Sequence, residues 1–112
     1  MANTYIDTNR IRRARISGAG EAAEILNNEL AGAKNVVATL HWLNRGEALD
    51  AGAPDFHHLV YLMGGEATIT LNGAPHRAAR GAGVYLGPSE TARIAHAGSE
   101  TLKLFHLTVP KL

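Results

Sequence analysis

Six histidines, at positions 41, 57, 58, 76, 96 and 106, and no cysteine bound the chemistry open to this chain. An imidazole with a pKa near 6.5 exchanges protons at neutral pH and ligates transition metals through either nitrogen. Without cysteine there are no disulfides, thiolate ligands or cysteine nucleophiles. The densest cluster lies in DFHHLVYLMGGEATITLNG, residues 55–73, where two adjacent histidines lead into an unbroken apolar run.

Whether these rings can meet depends on strand parity, since alternate side chains of a strand share a face. If His58 points inward, Val60 and Leu62 follow it. In Thr101–Val109, Lys103 belongs in water, which turns Leu102, Leu104, His106 and Thr108 inward. His41 shares a face with Thr39 and Leu43, and His96 shares one with Ala92 and Ile94. The expected site therefore brings His41, His58 and His106 into one cavity. His58 and His106 are its catalytic candidates. His96 lies nearer the mouth, and His41, His96, Val60, Leu62, Ile94 and Leu104 form the substrate-binding wall. His57 and His76 read as rim or loop positions. Glu47, Asp50 and Asp55 sit in a loop leading to the cavity, where a carboxylate either orients an imidazole or is simply solvated. Trp42 and Tyr61 have the opposite parity and, with Met63, are expected to form an outer apolar patch suited to self-association.

The elements that must position these groups are mostly short strands. Arg10–Ile16 alternates weakly and is broken by Ser17-Gly18-Ala19-Gly20. Glu21–Leu30 places Ala22, Ile25, Leu26 and Leu30 at helical spacing, predicting a short helix or turn. Val36–Leu43, His58–Met63, Glu66–Leu71, Val84–Leu86, Arg93–His96 and Thr101–Val109 read as strands, with Glu47–Pro54 as loop. The run after His58 lacks polar alternation and predicts a strand buried on both faces. Asn72-Gly73 is a tight-hairpin signal. Turns every eight to twelve residues predict an all-β sandwich or small barrel. The expected division is an N-terminal arm, 1–34, and a barrel, 35–112.

With 112 residues, one domain is expected. Eleven Lys plus Arg against ten Asp plus Glu give no global field. Arg10, Arg12, Arg13 and Arg15 form a local basic cluster, read as a solvated or interface strand. No aromatic platform accompanies it, so nucleic acid is not an expected partner. The polar start MANTYIDTNRIRR lacks an apolar signal core, and no stretch reaches the ~20 apolar residues of a membrane span. A cytoplasmic protein is expected.

Gly46–Val109 resembles a single cupin, a jelly-roll barrel (double-stranded β-helix) carrying the motifs G-x5-H-x-H-x3,4-E-x6-G and G-x5-P-x-G-x2-H-x3-N. Gly46 can open the first motif, VYLMGGEATITLNG matches its strand-turn-strand, and GAGVYLGP (81–88) matches the opening of the second. The ligand positions depart from the pattern. Gly52 and Pro54 stand where the His-x-His pair belongs, His58 replaces the glutamate, Ala92 replaces the second-motif histidine, and His96 stands at the asparagine. The resemblance implies a pocket for a small, partly apolar organic molecule, and three functions remain open. One is a metal-independent isomerase, cyclase or lyase with His58 or His106 as general base. Another is a rearranged metal site on His58, His106 and His41 holding Zn, Ni, Fe or Mn, with dioxygenase- or hydrolase-like activity. The last is a non-enzymatic binding module. The resemblance also implies a homodimer, with Arg10–Ile16 as an exchanged strand.

Overall fold

The computed structural model describes residues 5–27 and 35–111. The strands are β1 (Ala14–Arg15), β2 (Glu21–Leu26), β3 (Val37–Leu43), β4 (Ala48–Ala51), β5 (Phe56–Gly64), β6 (Glu66–Leu71), β7 (Ala74–Ala79), β8 (Gly83–Leu86), β9 (Ala92–Ala97) and β10 (Leu102–Pro110). All pairings are antiparallel and no helix occurs among the described residues. Two sheets face each other, ordered β1-β2-β3-β10-β5-β8 and β4-β9-β6-β7. The molecule is an all-β jelly roll, and no described helix is long and apolar enough to cross a membrane.

Leu43, Val60, Leu62, Ile94, Leu102 and Leu104 are fully buried between the sheets. Each apolar side chain buried there contributes on the order of 1.5–3 kcal/mol. Alternation on β5 is strict, with His58, Val60 and Leu62 inside and Leu59, Tyr61 and Met63 outside. The predicted two-sided burial of this strand is thereby corrected. Tyr61 is 42% exposed because no layer covers the outer face of the larger sheet in this chain.

Two further expectations are corrected. Glu21–Leu26 is a strand, not a helix, and pairs along β3 from Glu21↔Trp42 to Leu26↔Ala38. Its apparent helical spacing is overridden by this pairing, which buries Ala22 and Ala23. Leu30, the last residue of that predicted helix, lies outside the described residues. The predicted Glu47–Pro54 loop contains β4, which pairs with β9 and buries Ala48, Leu49 and Ala51 while leaving Asp50 outside. Alanine and aspartate are poor strand formers, so only the partner strand fixes this segment. Of the expected Arg10–Ile16 strand only Ala14–Arg15 pairs, and it pairs with this chain's own β2.

At the β6–β7 turn, Asn72 and Gly73 both have positive φ, 51° and 79°. This matches the two-residue type I′ hairpin expected of Asn-Gly. Nothing lies within 4 Å of a Cβ built at Gly73, so Gly73→Ala should cost only the backbone strain. The expected loss is about 1 kcal/mol by urea unfolding, with an unchanged denaturant slope.

Candidate functional site

β10 lies between β3 and β5, and its register sets the site. His106 is opposite Thr39 on β3 and Val60 on β5. His41 is opposite Leu104, and His58 opposite Thr108. Each is therefore a diagonal neighbour of His106 on the inner face, a spacing long side chains bridge. The rings form a row, with centroids 5.5 Å apart from His41 to His106 and 5.1 Å from His106 to His58.

His58 Nδ1 and His106 Nε2 are 2.8 Å apart and share one hydrogen bond, the protonated nitrogen donating to the other. Thr108 Oγ1 stands 3.5 Å from the same His58 nitrogen. His58 Nε2 and both nitrogens of His41 are buried without any hydrogen-bond partner. An unpaired buried polar atom costs about 1–3 kcal/mol, so three in one cluster call for a ligand or a functional reason. Burial holds His41 down at about 4. His106 is also held at about 4, first by burial and then by the repulsion that charged His41 and His58 would exert. His58 is lowered for the same reasons, burial first and then neighbouring His57. At neutral pH the three are uncharged imidazoles.

His41 and His106 reach a cavity of about 500 Å³ between the barrel and the N-terminal arm. Thr39, Thr108 and Leu49 line it from the barrel, while Arg12, Ile16 and Glu24 line it from the arm and β2. His58 is not on its wall and sits behind His106. Val60, Leu62, Ile94 and Leu104, read from the sequence as wall, are wholly buried in the core and do not line this cavity. Alternation identified their face correctly but not their depth along the barrel. His96 is likewise not part of the row. Its Nε2 lies 2.7 Å from the Glu100 carbonyl in the following turn, and it does not line the cavity.

His57 and His76 lie on strands rather than loops. His57 points to the outer face, where its Nδ1 is 2.7 Å from the Tyr85 hydroxyl. None of the expected carboxylates Glu47, Asp50 and Asp55 bonds an imidazole among the described residues. Glu47 pairs with Arg15 and accepts from the Asn44 amide, and Asp50 pairs with Arg93. Trp42 is capped by the Arg13 guanidinium at 3.7 Å, which removes it from the expected outer patch. Arg12 is a cavity-lining residue that the sequence alone did not single out, because only the fold of the arm shows which of four arginines faces the cavity.

A resident metal is the other use of such rings, and the donor geometry argues against it. Metal-bound nitrogens at 2.0–2.1 Å in a tetrahedral site stand about 3.3 Å apart. Here the two closest nitrogens are 2.8 Å apart and already bonded to each other. No three His, Asp or Glu side chains converge on a point among the described residues. Gly52, at the first motif histidine, has φ +123°, and a Cβ there would lie 2.2 Å from the Glu90 carbonyl oxygen. The backbone itself thus forbids a ligand side chain at that position.

Two facing antiparallel sheets with a histidine row at one end of their core define a single-domain cupin. Residues 36–111 match the model of the AraC-like ligand binding domain. The chain belongs to that family. Solved structures agree on the fold. A predicted oxalate decarboxylase from Thermotoga maritima is 19% identical with a TM-score of 0.79, over 96% of this chain and 99% of that one. The polyketide cyclase RemF from Streptomyces resistomycificus is 11% identical with a TM-score of 0.81, over 96% and 80%. KdgF from a Halomonas species is 9% identical with a TM-score of 0.80, over 98% and 96%. No curated protein matches the chain in sequence.

Proposed function

We propose that the cavity binds a small, partly apolar organic molecule whose polar end meets His41 and His106, and that His106 exchanges a proton with it. The observation that carries this reading is the set of three unpartnered imidazole nitrogens, two of them on a ring that lines the cavity. His58 is then a positioning residue. When its Nδ1 accepts from His106 Nε2–H, the His106 Nδ1 lone pair is free to take a proton. The imidazolium formed is stabilised by the same hydrogen bond. This is general-base chemistry without a metal, suited to isomerisation, cyclisation or elimination, and worth typically 10²–10⁴-fold. The polyketide cyclase among the structural neighbours is compatible with it, though at 11% identity that likeness speaks for the fold alone.

A second reading has its own support. The family's description as a ligand-binding domain favours a module that holds a molecule without converting it. One experiment separates the two. With the neutral ketone phenylacetone in D2O, the enzyme reading expects faster deuterium exchange at the ketone's α-carbons, slowed at least about tenfold in His106→Gln. Saturable binding with no accelerated exchange leaves the binding module. Equal exchange in wild type and His106→Gln rejects His106 as the base.

We further propose a homodimer through the outer face of the larger sheet. Leu59, Tyr61 and Met63 on β5 stand beside Tyr85 on β8, and all four are exposed. Tyr61→Lys is expected to shift the mass measured by light scattering from dimer to monomer; a wild-type monomer contradicts the proposal.

A further inference from the structure

Building on the ligand-cavity reading, we infer that the molecule held there is a small organic monocarboxylate and that Arg12 binds its charged end. The basic cluster of the arm is mostly occupied. Arg10 pairs with Asp7, Arg13 with Glu21 and Trp42, and Arg15 with Glu47. Among the described residues Arg12 has no such partner, and it lines the cavity. On the same wall stand the rings of His41 and His106, both uncharged at pH 7, so the cavity offers one cation and neutral polar rings to the same occupant. Their characters differ. Arg12 is a fixed cation whose planar fork matches a carboxylate. The imidazoles beside it in the lining are neutral and suit a hydroxyl or carbonyl. Ile16 and Leu49 supply apolar surface on the same wall. A carboxylate at one end, an apolar body and one uncharged polar group satisfy all three features.

Glu24 is the only carboxylate among the residues lining the cavity, and it already accepts from the Asn27 side-chain amide. It opposes an anion without neutralising Arg12, since the two form no ion pair. Arg12, Ile16 and Glu24 precede the matched segment, residues 36–111. The imidazoles come from the barrel shared with the family, while the charge selection comes from this chain's own arm.

The test titrates the full chain with three probes of one shape, benzoate, benzyl alcohol and benzylamine, following the ring resonances of His41 and His106. Benzoate is expected to bind about tenfold more tightly than benzyl alcohol, with the difference erased in Arg12→Gln and partly kept in Arg12→Lys. Glu24→Gln is expected to tighten benzoate about threefold, and salt to weaken it in wild type but not in Arg12→Gln. Arg12 is exposed, so these variants keep the fold, which circular dichroism verifies. If benzyl alcohol binds as tightly as benzoate and moves both rings, the cavity reading stands and the carboxylate assignment falls. Tighter binding of benzylamine transfers the charged end to Glu24 and also overturns it. No saturable shift of either ring with any probe removes both readings.

Discussion

Between pH 6.5 and 4 the folded protein is expected to lose several kcal/mol of stability. In the unfolded chain His41 and His106 take up protons near pH 6.5, but in the fold both stay neutral until about pH 4. The unfolded state therefore binds more protons throughout this window, and stability falls as pH falls. A drop from 6.5 to about 4, at 1.36 kcal/mol per pH unit, is about 3 kcal/mol for each ring. Both rings retain some contact with the cavity, so solvent trims that figure. Even discounted, the pair approaches the 5–15 kcal/mol that hold an ordinary domain together. Above pH 6.5 neither ring contributes any pH dependence. Urea unfolding at pH 7.5, 6, 5 and 4 checks this: a midpoint that is flat across the range contradicts the burial of the two rings.

Replacing His41 by leucine is expected to stabilise the protein while abolishing ligand binding. Most buried histidines gain a hydrogen bond that offsets their desolvation, but both nitrogens of His41 lack one. The penalty of about 1–3 kcal/mol for unpaired buried polar atoms should be recovered when an apolar side chain of similar size takes the place. At pH 7 the expected gain is about 1–2 kcal/mol, or several degrees in Tm for a domain of this size. Because one of the two titrating rings is gone, the acid transition should also move to lower pH. Stability bought at the cost of binding is the usual mark of a functional residue in an apolar site. Thermal melts at pH 7 with and without 4-hydroxybenzoate, which carries a carboxylate for Arg12 and a hydroxyl for the imidazoles, measure both effects. A Tm that falls, or ligand protection equal to wild type, contradicts this role for His41.

The fold and the inward histidines were legible because strand alternation is a local signal. His58, Val60 and Leu62 share a face by spacing alone, and so do Leu104, His106 and Thr108. Strand pairing is not local. β2 and β4 are built mostly of alanine, glutamate and aspartate, whose own preferences point away from strands, and pairing with β3 and β9 holds them extended. Depth is also invisible in one dimension. Parity placed Val60 and His58 on one face but could not say that Val60 closes the core while His106 opens on a cavity. The hydrogen bond that ties His58 to His106 joins residues on two strands 48 positions apart, and nothing in either segment encodes it alone. Arg12 was hidden for the same reason. Four arginines in six residues look alike until their acidic partners are known.

The most direct measurement is a pH titration of the histidine ring nitrogens by long-range proton–nitrogen correlation NMR on the full chain. At pH 7 the account predicts three neutral rings, with His58 and His106 held in complementary tautomers and one proton between Nδ1 of the first and Nε2 of the second. On acidification, His41 and His106 should remain neutral until the pH falls to about 4. Three rings that titrate independently near pH 6.5, with no shared proton between His58 and His106, would contradict it.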